Sequence, residues 1–148
     1  MISEIIKGII QALRTKFDEN EYDIYTESVE QGLTAPCFLI TCLNPTNELF
    51  FNNKYMRTNP FMIQYFPKTK DVNDECSNVI ELLYDALEYI KVGDDLTRAS
   101  KMGAETVDDV LNFSVNYDMF VYKKTEGDDI TMNDLKSEVG AKGDVLNG

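Results

Sequence analysis

From residue 110 to residue 124 apolar and polar positions alternate. Leu111, Phe113, Val115, Tyr117, Met119 and Val121 are apolar, and Asn112, Ser114, Asn116 and Asp118 lie between them. A period of two over this length predicts one long strand with a buried face and a wet face. Six large side chains on one face are worth on the order of 10 kcal/mol of burial before chain entropy is subtracted. A slip of one residue would turn Asn112, Ser114, Asn116 and Asp118 inward, so the register is strongly set. The pattern fails at its end, where Phe120 and Tyr122 are apolar on the wet side. Two readings stay open there: an edge of the core reached from the other side, or a surface that meets a second protein.

The rest of the chain divides by the same test. Ile2, Ile5, Ile6, Ile9, Ile10, Leu13 and Phe17 share one helical stripe, which Asp18, Glu19 and Asn20 end. Gly8 lies beside the stripe, where a close backbone approach would suit it. Residues 21–26 predict a short strand and 30–32 a turn. Residues 37–43, apolar on both faces except at Thr41, predict a central strand. Residues 44–47 form a turn cluster. Residues 50–66 read as a longer extended segment with Tyr55, Arg57, Asn59, Phe61, Ile63 and Tyr65 on one face. Pro60 inside it predicts an edge position or a bulge, and Asn52-Asn53 a hairpin tip. A second helix is expected over 73–90, its stripe running from Val72 to Ile90 and its stop at Lys91 and Gly93. Residues 96–106 predict a strand that pairs with the last one across a turn at Val107, Asp108 and Asp109.

After Lys124 the chain turns polar and acidic. Residues 131–139 read as a short helix with Met132, Leu135 and Val139 on one side, followed by an end with nothing to bury. The whole predicts an α+β fold: a mostly antiparallel sheet of four to five strands, two helices on one face and a short helical C-terminal tail. The domain spans 1–124 and the acidic tail 125–148.

Composition narrows the function classes. The 148 residues are 43% hydrophobic, enough for a real core. Net charge is −12, which disfavours binding to a phosphate backbone. The excess serves solubility, or else an acidic wall past which a polyanion slides. Cys37, Cys42 and Cys76 have no CxxC spacing and read as reduced core residues of an intracellular protein. With no histidine the usual general base and the commonest metal ligand are missing. No apolar run has membrane length, and the N-terminus lacks the features of a signal peptide.

Candidate chemistry is thin. Asp94-Asp95 and Asp108-Asp109 could flank one hairpin as acid–base carboxylates, but solvated turn residues are the commoner reading. Asp128, Asp129 and Asp134 lack calcium-loop spacing. Cys37 and Cys42 lack a histidine partner. The expectation is therefore no catalytic residue, no cofactor, no metal and no enzyme. Lys54, Arg57 and Lys68 make one basic spot. Arg57 is read either as the partner of a neighbouring subunit's carboxylate or as an exposed cross-strand pair worth under about 1 kcal/mol. Aromatic residues exceed what a one-sided core easily absorbs, and Tyr, Phe and Met favour interfaces. The candidate interface residues are Tyr55, Arg57, Phe61, Tyr65, Phe120 and Tyr122.

The order of short motifs resembles a known family. An amphipathic helix leads to Tyr22-Asp23-Ile24-Tyr25, then Pro36-Cys37-Phe38, then a strand with Tyr55-Met56-Arg57 that closes on Tyr65-Phe66-Pro67. A helix and the alternating strand from Leu111 to Val121 follow. Together these resemble the tail terminator (tail completion) proteins of phages and phage-like particles of Gram-positive bacteria, over residues 1–124. Ala35 stands where a basic residue is expected, and Asp109-Val110 where a glycine is expected before Leu111. The resemblance implies a structural protein that assembles as a ring, commonly a hexamer, on the head-proximal end of the tail tube. There it would stop tube growth and meet the head or neck. The implied partners are copies of itself, the tube protein, sheath where present, and a head or neck connector, with DNA only passing through the pore and no membrane. The implied location is the neck of the virion tail, or of a headless tailocin, assembled in the host cytoplasm. Other readings are a head–tail connector subunit and a soluble acidic inhibitor that mimics DNA.

Overall fold

A computed structural model describes residues 1–26 and 32–124. In chain order the elements are helix α1 (Ile2–Arg14), strands β1 (Asp23–Tyr25), β2 (Cys37–Cys42), β3 (Thr46–Phe51), β4 (Lys54–Thr58) and β5 (Pro60–Phe66), and helix α2 (Val72–Leu87). Strands β6 (Tyr89–Val92), β7 (Asp95–Arg98), β8 (Lys101–Val107), β9 (Val110–Asn116) and β10 (Met119–Tyr122) follow. The fold is α+β, and every strand pair is antiparallel except β1 with β2. The described chain divides into two compact units. The larger holds residues 2–43 and 60–117; the smaller holds Met1, residues 44–59 and residues 118–124.

The larger unit is built on a five-stranded sheet in the order β1-β2-β5-β9-β8. Its registers put like with like across the strands. Ile40, Ile63 and Phe113 stand in one row, and Phe38, Tyr65 and Leu111 in the next. All six are buried, and both helices lie on this face. Ile5, Ile9 and Leu13 of α1 and Cys76, Val79, Leu83 and Leu87 of α2 supply the facing stripes. Phe17, three residues past α1, stands edge-on to Phe38, with ring centroids 4.7 Å apart, and Tyr84 of α2 meets Phe113 at 5.4 Å. On the other face Gln64 donates to the Asn112 side chain at 2.9 Å, the polar alternation that the sequence demands. Gly8 lets α1 lie directly on the backbone of β6, because a Cβ there would come 2.4 Å from the Lys91 carbonyl oxygen.

Five boundaries differ from the sequence reading. The strand expected over 110–124 is two strands: β9 ends at Asn116 and β10 pairs elsewhere. Between them Tyr117 is buried, and its hydroxyl donates to the Leu87 carbonyl at 2.6 Å, where α2 ends. The segment over 50–66 also divides, at Asn59. Pro60 opens β5, where its missing N–H does least harm, and β5 is central rather than an edge. The turn expected over 44–47 ends sooner, since Thr46 already pairs with Thr58. The second helix stops at Leu87, and Ile90 is buried from strand β6 instead. Gly93, at φ 63°, turns the β6–β7 hairpin rather than ending a helix. Residues 96–106 accordingly split between β7 and β8, of which β8 makes the expected hairpin with β9.

The smaller unit is a three-stranded sheet in the order β10-β4-β3. Residues 44–59 leave and re-enter the larger unit at one point, where the Leu43 amide donates to the Pro60 carbonyl at 2.8 Å. The acidic tail expected over 125–148, with its helix over 131–139, lies outside the described residues. So does most of the turn expected over 30–32.

Candidate interaction surface

The three-stranded sheet carries five exposed large apolar side chains, Leu49, Phe50, Phe51, Phe120 and Tyr122. Hairpin β3–β4 turns at Asn52-Asn53, and Asn52 adopts a left-handed φ of 52°, a conformation asparagine tolerates. The Asn53 side chain donates to the Lys123 carbonyl at 2.9 Å, and the Lys123 amide donates back to the Asn53 carbonyl at 2.8 Å. This pair clamps the end of β10 to the hairpin tip. At the far end the hydroxyls of Thr46 and Thr58 hydrogen-bond across the hairpin.

Register sorts the two faces. Tyr55 stands opposite Leu49 and Val121, whereas Met56 stands opposite Glu48 and Phe120, and Lys54 opposite Tyr122. On the Tyr55 face Val121 is buried and Tyr55 half-buried. The Met56 face is open: Phe120 is 37% exposed and Tyr122 44%. A register shift between Leu49 and Phe51 adds Phe50 to that face, its ring 5.0 Å from Phe120. Phe50 is 62% exposed and Phe51 66%.

Lys54 is drawn onto these rings. Its ammonium lies 4.1 Å from the centroid of Phe120, 5.4 Å from Phe50 and 5.7 Å from Tyr122. Each such contact at an exposed site is worth about 0.5–1 kcal/mol. The arrangement is an aromatic platform with one cation at its centre. Such a platform can bind another protein surface, since rings supply area at low entropic cost and the ammonium supplies direction.

Of the residues proposed from sequence, the structure brings Phe120 and Tyr122 together on the open face. Tyr55 is on the opposite face of the same sheet. Arg57 is half-buried there too, with its guanidinium 3.5 Å from the Met1 Sδ. Phe61 and Tyr65 do not belong to a surface. Each is 1% exposed, within the larger unit's core, and they leave the candidate set. Tyr65 is held there because its hydroxyl donates to Glu75 at 2.5 Å. Sequence reasoning missed Leu49, Phe50 and Phe51. Their signal was an apolar triplet directly before the Asn52-Asn53 turn.

The larger unit offers an open recess of about 550 Å³ beside Glu21, Tyr22, Tyr65, Asp71, Asp74 and Glu75. Burial pushes the Glu75 carboxyl up, but hydrogen bonds from the Thr69 and Tyr65 hydroxyls and the Lys68 and Thr69 amides outweigh it and bring it down to about 2. Glu75 is thus occupied in fastening α2 to the loop before it. The acidic pairs sit on two different hairpins, Asp94-Asp95 at β6–β7 and Asp108-Asp109 at β8–β9, and do not flank one. Burial raises the Cys37 thiol to about 11, with the Asp23 charge adding to it, so it is a poor nucleophile.

A comparison with curated proteins finds no match. The family model for phage tail terminator proteins, by contrast, matches residues 4–129, a span that takes in every strand, α2 and all but the first two residues of α1, the aromatic platform included. With most of its length inside that match, the chain belongs to the phage tail terminator protein family and is a structural protein of a phage tail.

Proposed function

We propose that this protein closes the head-proximal end of the tail tube. Copies assemble as a ring, six being the number the resemblance implies. The ring ends tube polymerisation and offers the joining surface for head or neck. It works by shape, without catalysis. The observation that supports this most is the open aromatic face of the smaller unit in a chain of this family. That face adjoins β3, an edge strand whose six residues are all exposed. A growing tube presents sheet edges to the next subunit, and a ring matched to them removes the template. The acidic balance of the chain suits a pore through which DNA passes without sticking.

The test is deletion of the gene in the producing strain, followed by electron microscopy of the tails. Tubes of uncontrolled length, restored to a fixed length by the wild-type gene, are expected. Tails of unchanged length and normal joining to the head would refute the reading.

A further inference from the structure

Charge is shared unequally between the two units. Met1, residues 44–59 and residues 118–124 hold four basic side chains (Lys54, Arg57, Lys123, Lys124) against two acidic ones (Glu48, Asp118), a net of +2. The described residues of the larger unit, 2–26, 32–43 and 60–117, hold sixteen acidic side chains against eight basic, a net of −8, and residues 125–148, outside the described residues, add six acidic side chains against two basic. Among the described residues, the cationic part of this acidic chain is therefore the part with the open aromatic face. Among the described residues no carboxylate pairs with Lys54; its charge rests on ring faces. A ring quadrupole attracts an ammonium without neutralising it, so the charge stays available to an anionic partner.

We propose that the open face around Lys54, Phe50, Phe120 and Tyr122 docks on the acidic larger unit of a second copy of this chain. The inference rests on the ring reading and supplies the contact between ring neighbours. Charge complementarity selects the occupant. Two such faces meeting each other would set Lys54 against its own counterpart. The face against a larger unit sets Lys54 against described residues of net −8. The contact is heterologous, because donor face and acceptor surface are different parts of the same chain. Each copy carries one of each, so the contact can repeat from copy to copy, and it closes into a ring where the rotation per copy divides a full turn. The rings supply buried area, and the cations supply orientation and encounter rate. Assembly is accordingly salt-sensitive, since exposed charges are screened beyond about 8 Å at physiological ionic strength.

The test uses the full chain as a mixture of unlabelled and 15N-labelled copies at about 50 mM salt. Carbodiimide coupling joins lysines to carboxylates in direct contact, and mass spectrometry reads the links. Links from Lys54 or Lys123 to carboxylates within residues 2–43 or 60–117 of the differently labelled copy are expected. Native mass spectrometry should show Lys54→Glu weakening association about tenfold or more, Lys54→Arg preserving it, and about 500 mM salt mimicking the loss. Lys123→Glu, at an exposed side chain, gives a second reading should Lys54→Glu fold poorly. The proposal is overturned by links confined to one copy, including links from Lys54 to residues 125–148 of its own chain, by association indifferent to Lys54→Glu and Lys123→Glu, or by a strict monomer. A ring held through other surfaces removes this assignment alone and leaves the capping function standing. Tails of normal length after gene deletion remove the capping function.

Discussion

Replacing Gly8 by alanine sets two effects of known size against each other. In the middle of α1, alanine is favoured over glycine by about 1 kcal/mol. The added Cβ would, however, lie 2.4 Å from the Lys91 carbonyl oxygen, 3.2 Å from its carbon and 3.4 Å from Ile90 Cδ1. Carbon and carbonyl oxygen rest no closer than about 3.3 Å, so the helix has to retreat by about 1 Å. Lys91 cannot yield easily, because β6 is paired with β7 across Leu96 and Ile90 is buried. Retreat would loosen Ile5 and Ile9, each wholly buried on the same helix. Overpacking of this kind costs about 1–3 kcal/mol and here acts on backbone, the stiffest neighbour. The upper half of that range applies, and after the propensity gain a net loss of about 1–2 kcal/mol remains. Urea unfolding followed by far-ultraviolet circular dichroism measures it, with Lys7→Ala, at an exposed position of the same helix, as control. Gly8→Ala should lower the midpoint at an unchanged slope while Lys7→Ala stays near wild type. A midpoint at or above wild type for Gly8→Ala would refute the backbone contact between α1 and β6.

Three further outcomes follow from the larger unit. Glu75 has its pKa held at about 2 against an ordinary 4.5, so its stabilisation is present above about pH 4.5 and is lost as pH falls towards 2. Because the group is half-buried, solvent screening leaves about 1–2 kcal/mol of it; Glu75→Gln should be that much less stable at pH 7, and its deficit should shrink in unfolding curves taken at pH 3. A deficit independent of pH would show that the charge is irrelevant. Tyr117→Phe removes the 2.6 Å bond to the Leu87 carbonyl in a buried setting and should cost about 1–3 kcal/mol in the same unfolding assay. Asp108 and Asp109, at φ 50° and 64°, form the two-residue turn between β8 and β9, a left-handed pair that prefers glycine in second place. Asp109→Gly should raise the thermal midpoint, by the equivalent of a few tenths to about 1 kcal/mol; a lower midpoint would contradict the turn geometry.

What could be read in the sequence was whatever has one period and one environment. The α1 stripe and the Leu111–Phe113–Val115 alternation are both of that kind, and both lie where they were expected. The transfers between sheets were hidden because alternation runs straight through them. Tyr55, Arg57, Asn59 and Phe61 keep one parity while the chain passes from β4 to β5, and Tyr117, Met119 and Val121 do the same from β9 to β10. Only Pro60 marks a junction locally. Ile90 kept helical spacing with Leu83 and Leu87, yet it is buried from a strand. Of the surface, Phe120 and Tyr122 were legible because they break an otherwise strict pattern. Phe50 was not, since the register shift in β3 erases parity. Phe61 and Tyr65 looked surplus only because aromatic content says nothing about which rings a two-helix core consumes.

The bond between the Leu43 amide and the Pro60 carbonyl has a consequence for how such a chain diversifies. The hairpin departs and returns at a single doorway, and its companion strand is added only after β9 is complete. The ladder of β2, β5 and β9 never passes through either piece. A lineage adapting to a new neighbour can therefore exchange one loop and one trailing segment as a cassette, leaving the pairings of the interior sheet as they were.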